Sequence, residues 1–167
     1  MSKMFYPSLI VDSIRDITTE LLAENTIKGL ILDIDNTLVA NHVAEADENA
    51  IEWVESIKSA GYKVCIVSNA AKSRVTRFND KLQLYALHRA MKPMAGAFRK
   101  ASRMMGLKNA NVAVVGDQIF TDVCGGNRAG MFTILVKPID RKEGKFVQFK
   151  RIFEKRVLKR YADKRQG

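Results

Sequence analysis

The chain lacks what a secreted, disulfide-stapled or membrane-spanning protein is built from. Its 167 residues include two cysteines, Cys65 and Cys124. Two thiols make neither a disulfide framework nor a cysteine-rich zinc site. Cys65 lies in an apolar run and Cys124 in an expected helix, so both read as buried, reduced thiols. The longest apolar runs are short, such as Val64-Cys65-Ile66-Val67, far below the ~20 residues that cross a bilayer. The opening Met-Ser-Lys-Met-Phe-Tyr-Pro has no apolar core of a secretory signal, which points to a cytoplasmic protein. His42 and His88 are the two histidines, and neither has a partner pattern. No repeat or low-complexity linker divides the chain. What is present, 47% hydrophobic and 28% charged residues, is the composition of a globular domain long enough to bury a core.

The charge is uneven. Residues 1–136 hold 16 Lys and Arg against 14 Asp and Glu, whereas residues 137–167 hold 12 against 4. A nearly neutral body thus carries a strongly basic tail, of a kind that meets nucleic acid, ribosomes, acidic proteins or anionic lipid. Composition does not choose among these.

The pattern along the chain alternates strand and helix. Buried strands are expected over 29–35, 63–67, 85–87, 111–115 and 131–136. Helices are expected over 19–25, from Asp47 or Glu48 to Ala60, over 73–82, from Pro93 at the first helical position to about Met105, and over 121–129. This order predicts a central parallel sheet covered on both faces, a three-layer α/β Rossmann-like fold. Gly125-Gly126-Asn127-Arg128-Ala129-Gly130 follows a helix rather than a strand, so it reads as helix packing and termination and not as a nucleotide loop.

Carboxylates fall at strand ends. Asp33 and Asp35 close the first strand, whose alternation puts both on the same side, separated by Ile34. Ser68 and Asn69 close the second, Asp117 closes the fourth, and Asp122 opens the next helix. Lys92 precedes Pro93. Open α/β sheets bind ligands beyond the carboxyl ends of their strands, near the switch in strand order, so these residues should meet on one rim. Clustered carboxylates need a cation or proton between them. Oxygen-only sites with open water positions suit Mg2+. Carboxylates, a lysine and a hydroxyl beside such an ion make a phosphate site in which one aspartate can attack phosphorus.

These residues resemble a family. Asp33-Ile34-Asp35-Asn36-Thr37-Leu38 is similar to the first motif of haloacid dehalogenase-like phosphatases, Ser68 to the second, Lys92 in Met91-Lys92-Pro93 to the third, and Gly116-Asp117-Gln118-Ile119-Phe120-Thr121-Asp122 to the fourth. The resemblance covers residues 29–137. It implies Asp33 as the nucleophile that forms an aspartyl-phosphate. It implies Asp35 as general acid and then base, with its backbone carbonyl on the metal. Thr37 would support the loop. Ser68 and the Asn69 amide would bind phosphate oxygens. Lys92 would hold nucleophile and phosphate together. Asp33, Asp117 and Asp122 would serve Mg2+, Asp122 through water. Too few residues follow Leu38, or separate Ser68 from Lys92, for an inserted cap domain. The wording Asp-Asn-Thr-Leu, Gly-Asp-Gln-x-x-Thr-Asp-Val and Gly-Gly-Asn-Arg-Ala-Gly-Met resembles one capless subfamily, the YqeG-type phosphatases of subclass IIIA, whose group includes mitochondrial phosphatidylglycerophosphate phosphatases.

Two segments are expected, a phosphatase domain over 1–140 and a basic amphipathic helix over 141–167. In the latter, Phe146, Phe149, Phe153, Val157 and Tyr161 form a stripe between basic residues. The stripe either packs on the domain or enters an anionic membrane surface. The tail carries no recognisable nucleic-acid module. The reading is therefore a Mg2+-dependent phosphomonoesterase that works on a phosphorylated substrate, with a phospholipid such as phosphatidylglycerophosphate as the leading candidate. The protein would then sit in the cytoplasm, peripheral at the inner face of the membrane. The alternatives are a soluble small-molecule or nucleotide phosphatase lidded by an oligomer partner, and an RNA- or ribosome-associated binding protein that retains the site.

Overall fold

The computed structural model describes residues 3–140 and 145–166, with side chains for all of these except 145–147, 149 and 164–166. Six strands make one sheet: β1 (Leu9–Val11), β2 (Gly29–Leu32), β3 (Lys63–Val67), β4 (Tyr85–Leu87), β5 (Val112–Gly116) and β6 (Phe132–Val136). Their order in space is β1-β6-β5-β2-β3-β4, and every pairing is parallel. Five of the six were expected. β1 is the sixth, three residues pairing Leu9–Val11 with the end of β6, too short for its periodicity to register.

The helices are α1 (Thr19–Glu24), α2 (Glu48–Ser59), α3 (Lys72–Asn79), α4 (Ala95–Met104), α5 (Cys124–Ala129) and α6 (Lys145–Gln166). Thr18 caps α1 by accepting from the Leu21 amide at 3.2 Å, and Asp47 caps α2 by accepting from Ala50 at 2.8 Å. The period-2 alternation of the central strands sorts the core into two layers. Leu30, Leu32, Ile66 and Val115 meet Val54 and Ile57 of α2 and Phe78 of α3. Ile31, Cys65, Val67 and Val114 face the other way, onto Phe98 and Ala101 of α4 and Ala129 of α5. Burying one such side chain fully is worth about 1.5–3 kcal/mol, so these two layers hold the sheet in place. The three-layer α/β fold is as expected.

The glycine run behaves as helix packing. A Cβ on Gly125 would lie 2.3 Å from the Phe98 ring and one on Gly126 would lie 2.6 Å from Thr133, while Gly130 ends α5 at φ +75. Cys65 and Cys124 are buried free thiols, and burial pushes Cys65 up to about 12.

Three local expectations are corrected. The first strand stops at Leu32, and Asp33 to Asp35 lie in the turn beyond it. Pro93 does not open α4. The Lys92–Pro93 peptide is cis and the helix begins at Ala95. The helix expected over 121–129 is preceded by a π-helical turn, Ile119–Val123, in which the Asp122 and Val123 amides both donate to the Gln118 carbonyl. No cap domain is inserted among the described residues. The stretch after Leu38 leads directly to α2, and between Ser68 and Lys92 lie only α3 and β4.

Helix α6 packs on the body. Val157 is fully buried with Ile119, Val123 and Leu135, and the Tyr161 ring lies 5.7 Å from that of Tyr6. The inward face carries Glu154, Val157 and Leu158. Phe153, expected on the stripe, is exposed. The helix is turned so that Glu154 reaches the π-helical turn, which places Phe153 outward. The side chains of Phe146 and Phe149 lie outside the described residues.

Candidate active site

The chain winds from β2 outward through β3 to β4, then returns to β5 beside β2 and continues to β6. The order thus switches between β2 and β5, and the C-terminal ends of these two strands carry Asp33 and Asp117. The Asp33 amide still donates to the Val115 carbonyl at 3.0 Å, which fixes the first turn of chain beyond β2 against β5.

Asp33, Asp117 and Asp122 are buried, and one carboxylate oxygen of each lies within 4.8 Å of the others. Lys92 is buried between them. Its Nζ donates to Asp33 Oδ1 at 2.8 Å and to Asp122 Oδ1 at 2.7 Å. Burial works against the Lys92 ammonium, but Asp122 and Asp33 outweigh it and hold its pKa above the ordinary lysine value. Thr37 Oγ1 donates to Asp117 Oδ1 at 3.4 Å. Gly116 lets Asp122 approach, since a Cβ there would lie 2.2 Å from the Asp122 carboxyl carbon.

The Lys92 backbone is clasped from β3. Its amide donates to Asn69 Oδ1 at 2.7 Å, and Asn69 Nδ2 donates to the Lys92 carbonyl at 3.3 Å. Ser68 is buried, with its hydroxyl accepting from the Ala70 amide at 3.1 Å. The turn after Asp33 is closed by the Ile34 carbonyl, which accepts from the Thr37 and Leu38 amides. Asn36 sits there at φ +59, a conformation asparagine tolerates better than most residues. It also ties the segment after β6 to this loop: its carbonyl accepts from Ile139 and its side-chain oxygen from Asp140.

Asp35 stands apart from the cluster. Its Oδ1 accepts from Arg74 of α3 at 2.9 Å, and its side chain is more open to solvent than those of the three clustered aspartates. The strand ends before both residues, so strand alternation does not place them; they bond different partners, Lys92 and Arg74, while the Asp35 charge still adds to the rise of Asp33.

Three residues at the site were not anticipated. Arg74 also donates to the Ala44 carbonyl, bracing the loop over Asp35. Arg151 of α6 forms an ion pair with Asp117 and donates to its backbone carbonyl at 2.5 Å. Glu154 accepts from Arg151 at 2.9 Å and from the Ile119 amide at 2.8 Å. An acidic residue three positions before Val157 in a stretch otherwise rich in Lys and Arg was the signal available for Glu154. Arg74 and Arg151 carry no comparable one.

The charge balance is informative. Four buried carboxylates, Asp33, Asp117, Asp122 and Glu154, share two cations, Lys92 and Arg151. Burial raises Asp33 to about 7 against the pull of Lys92, with Asp122 adding to the rise. Burial likewise raises Asp117 to about 8, with Asp122 and Asp33 adding and Arg151 opposing. Two positive charges are missing if all four are to be ionised. A divalent cation carries two, and the donors of the Asp33–Asp117–Asp122 cluster, buried carboxylate oxygens, fit a hard cation.

Comparison with known proteins agrees with this geometry. A family model described as mitochondrial PGP phosphatase matches residues 1–140. The chain is 44% identical over 167 residues to the probable phosphatase YqeG of Bacillus subtilis, covering 100% of this chain and 96% of that protein. It is 29% identical to phosphatidylglycerophosphate phosphatase 1 of Arabidopsis thaliana, across 95% of this chain and 48% of the plant protein. Among solved structures, a cobalt-bound deoxy-D-mannose-octulosonate 8-phosphate phosphatase from Haemophilus influenzae matches at TM-score 0.56 and 17% identity, over 69% of this chain and 70% of that one. This last likeness is one of fold. The family match, the full-length relative and the carboxylate rim together show that the chain belongs to the mitochondrial PGP phosphatase family and is a phosphatase of the haloacid dehalogenase type.

Proposed function

We propose that the protein removes the terminal phosphate of a phospholipid headgroup of the phosphatidylglycerophosphate type, with Asp33 as nucleophile. The observation that carries the chemistry is the Asp33–Asp117–Asp122 cluster with Lys92 at the strand-order switch. The substrate class draws its support from the names of the Arabidopsis relative and of the family, and from a rim that no inserted domain covers among the described residues.

Lys92 holds Asp33 Oδ1, which leaves Oδ2 to attack phosphorus. The bond from phosphorus to the lipid oxygen breaks as the bond to Asp33 forms. Asp35 gives a proton to the departing alcohol. Its partial exposure and its pairing with Arg74 hold it beside the nucleophile without joining the buried cluster. Asp35 then takes a proton from water, which attacks phosphorus and returns Asp33 as a carboxylate. The Ser68 hydroxyl and the Asn69 amide donate to phosphate oxygens. Asp33, Asp117, Asp122 and the Asp35 carbonyl would hold Mg2+, which supplies charge neutralisation on the transferring phosphoryl group. Arg151 pairs with Asp117 Oδ2.

The exposed Lys155, Arg156, Lys159 and Arg160 of α6 fit peripheral attachment to an anionic membrane face, where each basic residue contributes about 1 kcal/mol. No helix among the described residues is long and apolar enough to cross a membrane.

The test is phosphate release, with and without Mg2+, from phosphatidylglycerophosphate in mixed micelles and from soluble sugar and nucleoside phosphates. Lipid turnover at least tenfold above the soluble compounds, dependent on Mg2+, is expected. Equal or faster turnover of the soluble compounds would replace this reading with that of a soluble-phosphate hydrolase.

A further inference from the structure

A groove of about 750 Å3 runs between α6 and the edge of the sheet formed by β1, β6 and residues 137–139. It shares a wall with the active site, because Asp117 and Arg151 are among its lining. Ile10, Leu135, Ile139 and Leu158 make its sides apolar. Of these, Ile10 is 38% and Ile139 55% exposed, apolar area that the folded chain leaves in contact with water. Lys137 and Lys155 also line it. Its size falls in the range of roughly 300–1,000 Å3 usual for small-molecule sites, far more than a phosphate requires.

We infer that this groove takes the acyl-glycerol body of the substrate, so that α6 forms one wall of a lipid-binding site continuous with the catalytic rim. The inference rests on the proposed phospholipid substrate. Continuity assigns the occupant: a molecule whose phosphate lies at Asp33 and Asp117 can pass directly beside Arg151 into an apolar channel. A phosphodiester between the terminal phosphate and the acyl chains is anionic. Lys155 and Lys137, the latter paired with Asp12 at an exposed position, line that path beside Arg151, which neutralises Asp117 and Glu154 of the same lining. Asn36, which anchors Ile139 and Asp140 by its backbone and side chain, joins the groove wall to the nucleophile loop.

Dibutanoyl and dioctanoyl phosphatidylglycerophosphate, both kept below the concentrations at which they aggregate, test this directly. Each methylene withdrawn from water favours binding roughly fourfold, so kcat/KM is expected to rise at least tenfold from the shorter to the longer lipid. Ile139→Glu places a charge in the wall at an exposed position, and the chain-length ratio should then fall below about threefold. Ile10→Glu, on β1, is a second variant with the same expected result, and melting curves report whether each has folded. If the ratio persists in folded variants, the groove assignment is overturned while the lipid reading stands. If wild type shows no chain-length ratio, the groove is overturned as well. If neither lipid is hydrolysed while soluble phosphates are, the substrate reading itself has failed, and the groove inference with it.

Discussion

Asp33 and Asp117 are carboxylates held in an interior that resists their ionisation, and this has a measurable sign. In the folded state Asp117 is raised to about 8 and Asp33 to about 7, so between the ordinary carboxylate range and these values the native state binds more protons than the unfolded chain. Stability therefore falls as pH rises through that window. The melting midpoint of the metal-free protein should drop between pH 5 and pH 8, and Asp117→Asn should flatten the drop. Mg2+ should restore more stability at pH 8 than at pH 5, since it takes the place of the missing protons. A scan by differential calorimetry checks both. Asp35 makes a different prediction. In its proposed role of general acid and base it should contribute about 10²–10⁴ in rate, so Asp35→Asn should lower kcat by that factor and alter the pH–rate profile while leaving the melting midpoint little changed. Its partly exposed position and its pairing with Arg74, rather than with the buried cluster, are why stability should be spared.

At the scale of elements, the site depends on tight approaches that leave no room for a side chain. The turn from β5 into the π-helical segment brings Asp122 against Gly116, where a Cβ would overlap the Asp122 carboxyl group. Gly116→Ala should cost about 1–3 kcal/mol and reduce activity through the displaced Asp122, which denaturant titration and phosphate release would show together. Helix α6 is held by apolar contacts at Val157, Leu158 and Tyr161 and by polar ones at Arg151 and Glu154. Val157→Asp forfeits about 1.5–3 kcal/mol of burial and adds a buried charge, so it should lower the midpoint of denaturation by that amount or more. Much of this architecture is legible in sequence. Strands β2, β3, β5 and β6 are short apolar runs with clear boundaries, and the Gly-Gly pair reads as helix packing. β1 is not legible, because three residues carry no period. The cis peptide before Pro93 and the π-helical turn are not legible either, since both depend on how distant strands meet. The rotation of α6 follows from Glu154 finding the Ile119 amide, a contact no spacing rule contains.

For the whole molecule, Asp33, Ser68, Asn69 and Asp117 were legible because they follow strand ends, which a parallel sheet gathers at one edge; Lys92 and Asp122 lie in the segments beyond, and Thr37 was marked by the family resemblance alone. Arg74 and Arg151 were not legible, because each reaches the rim from a helix through tertiary packing alone. The basic tail thereby takes on two faces. One packs on the body and pairs with Asp117, and the other presents Lys155, Arg156, Lys159 and Arg160 to solvent. If the exposed face serves a membrane, vesicles rich in anionic lipid should bind the protein at low ionic strength and release it as salt approaches 0.5 M, whereas zwitterionic vesicles should not bind. Co-sedimentation reads both. Retention of binding at high salt would mean that charge is not what holds it.

In the proposed mechanism Asp33 carries the phosphoryl group, and acid quenching during turnover with phosphatidylglycerophosphate and Mg2+ would trap it there. Peptide mass mapping of the quenched enzyme should place a phosphoryl adduct on Asp33, absent from Asp33→Asn, which should release no phosphate. An adduct mapped to another residue, or phosphate release by Asp33→Asn at the wild-type rate, would contradict the account.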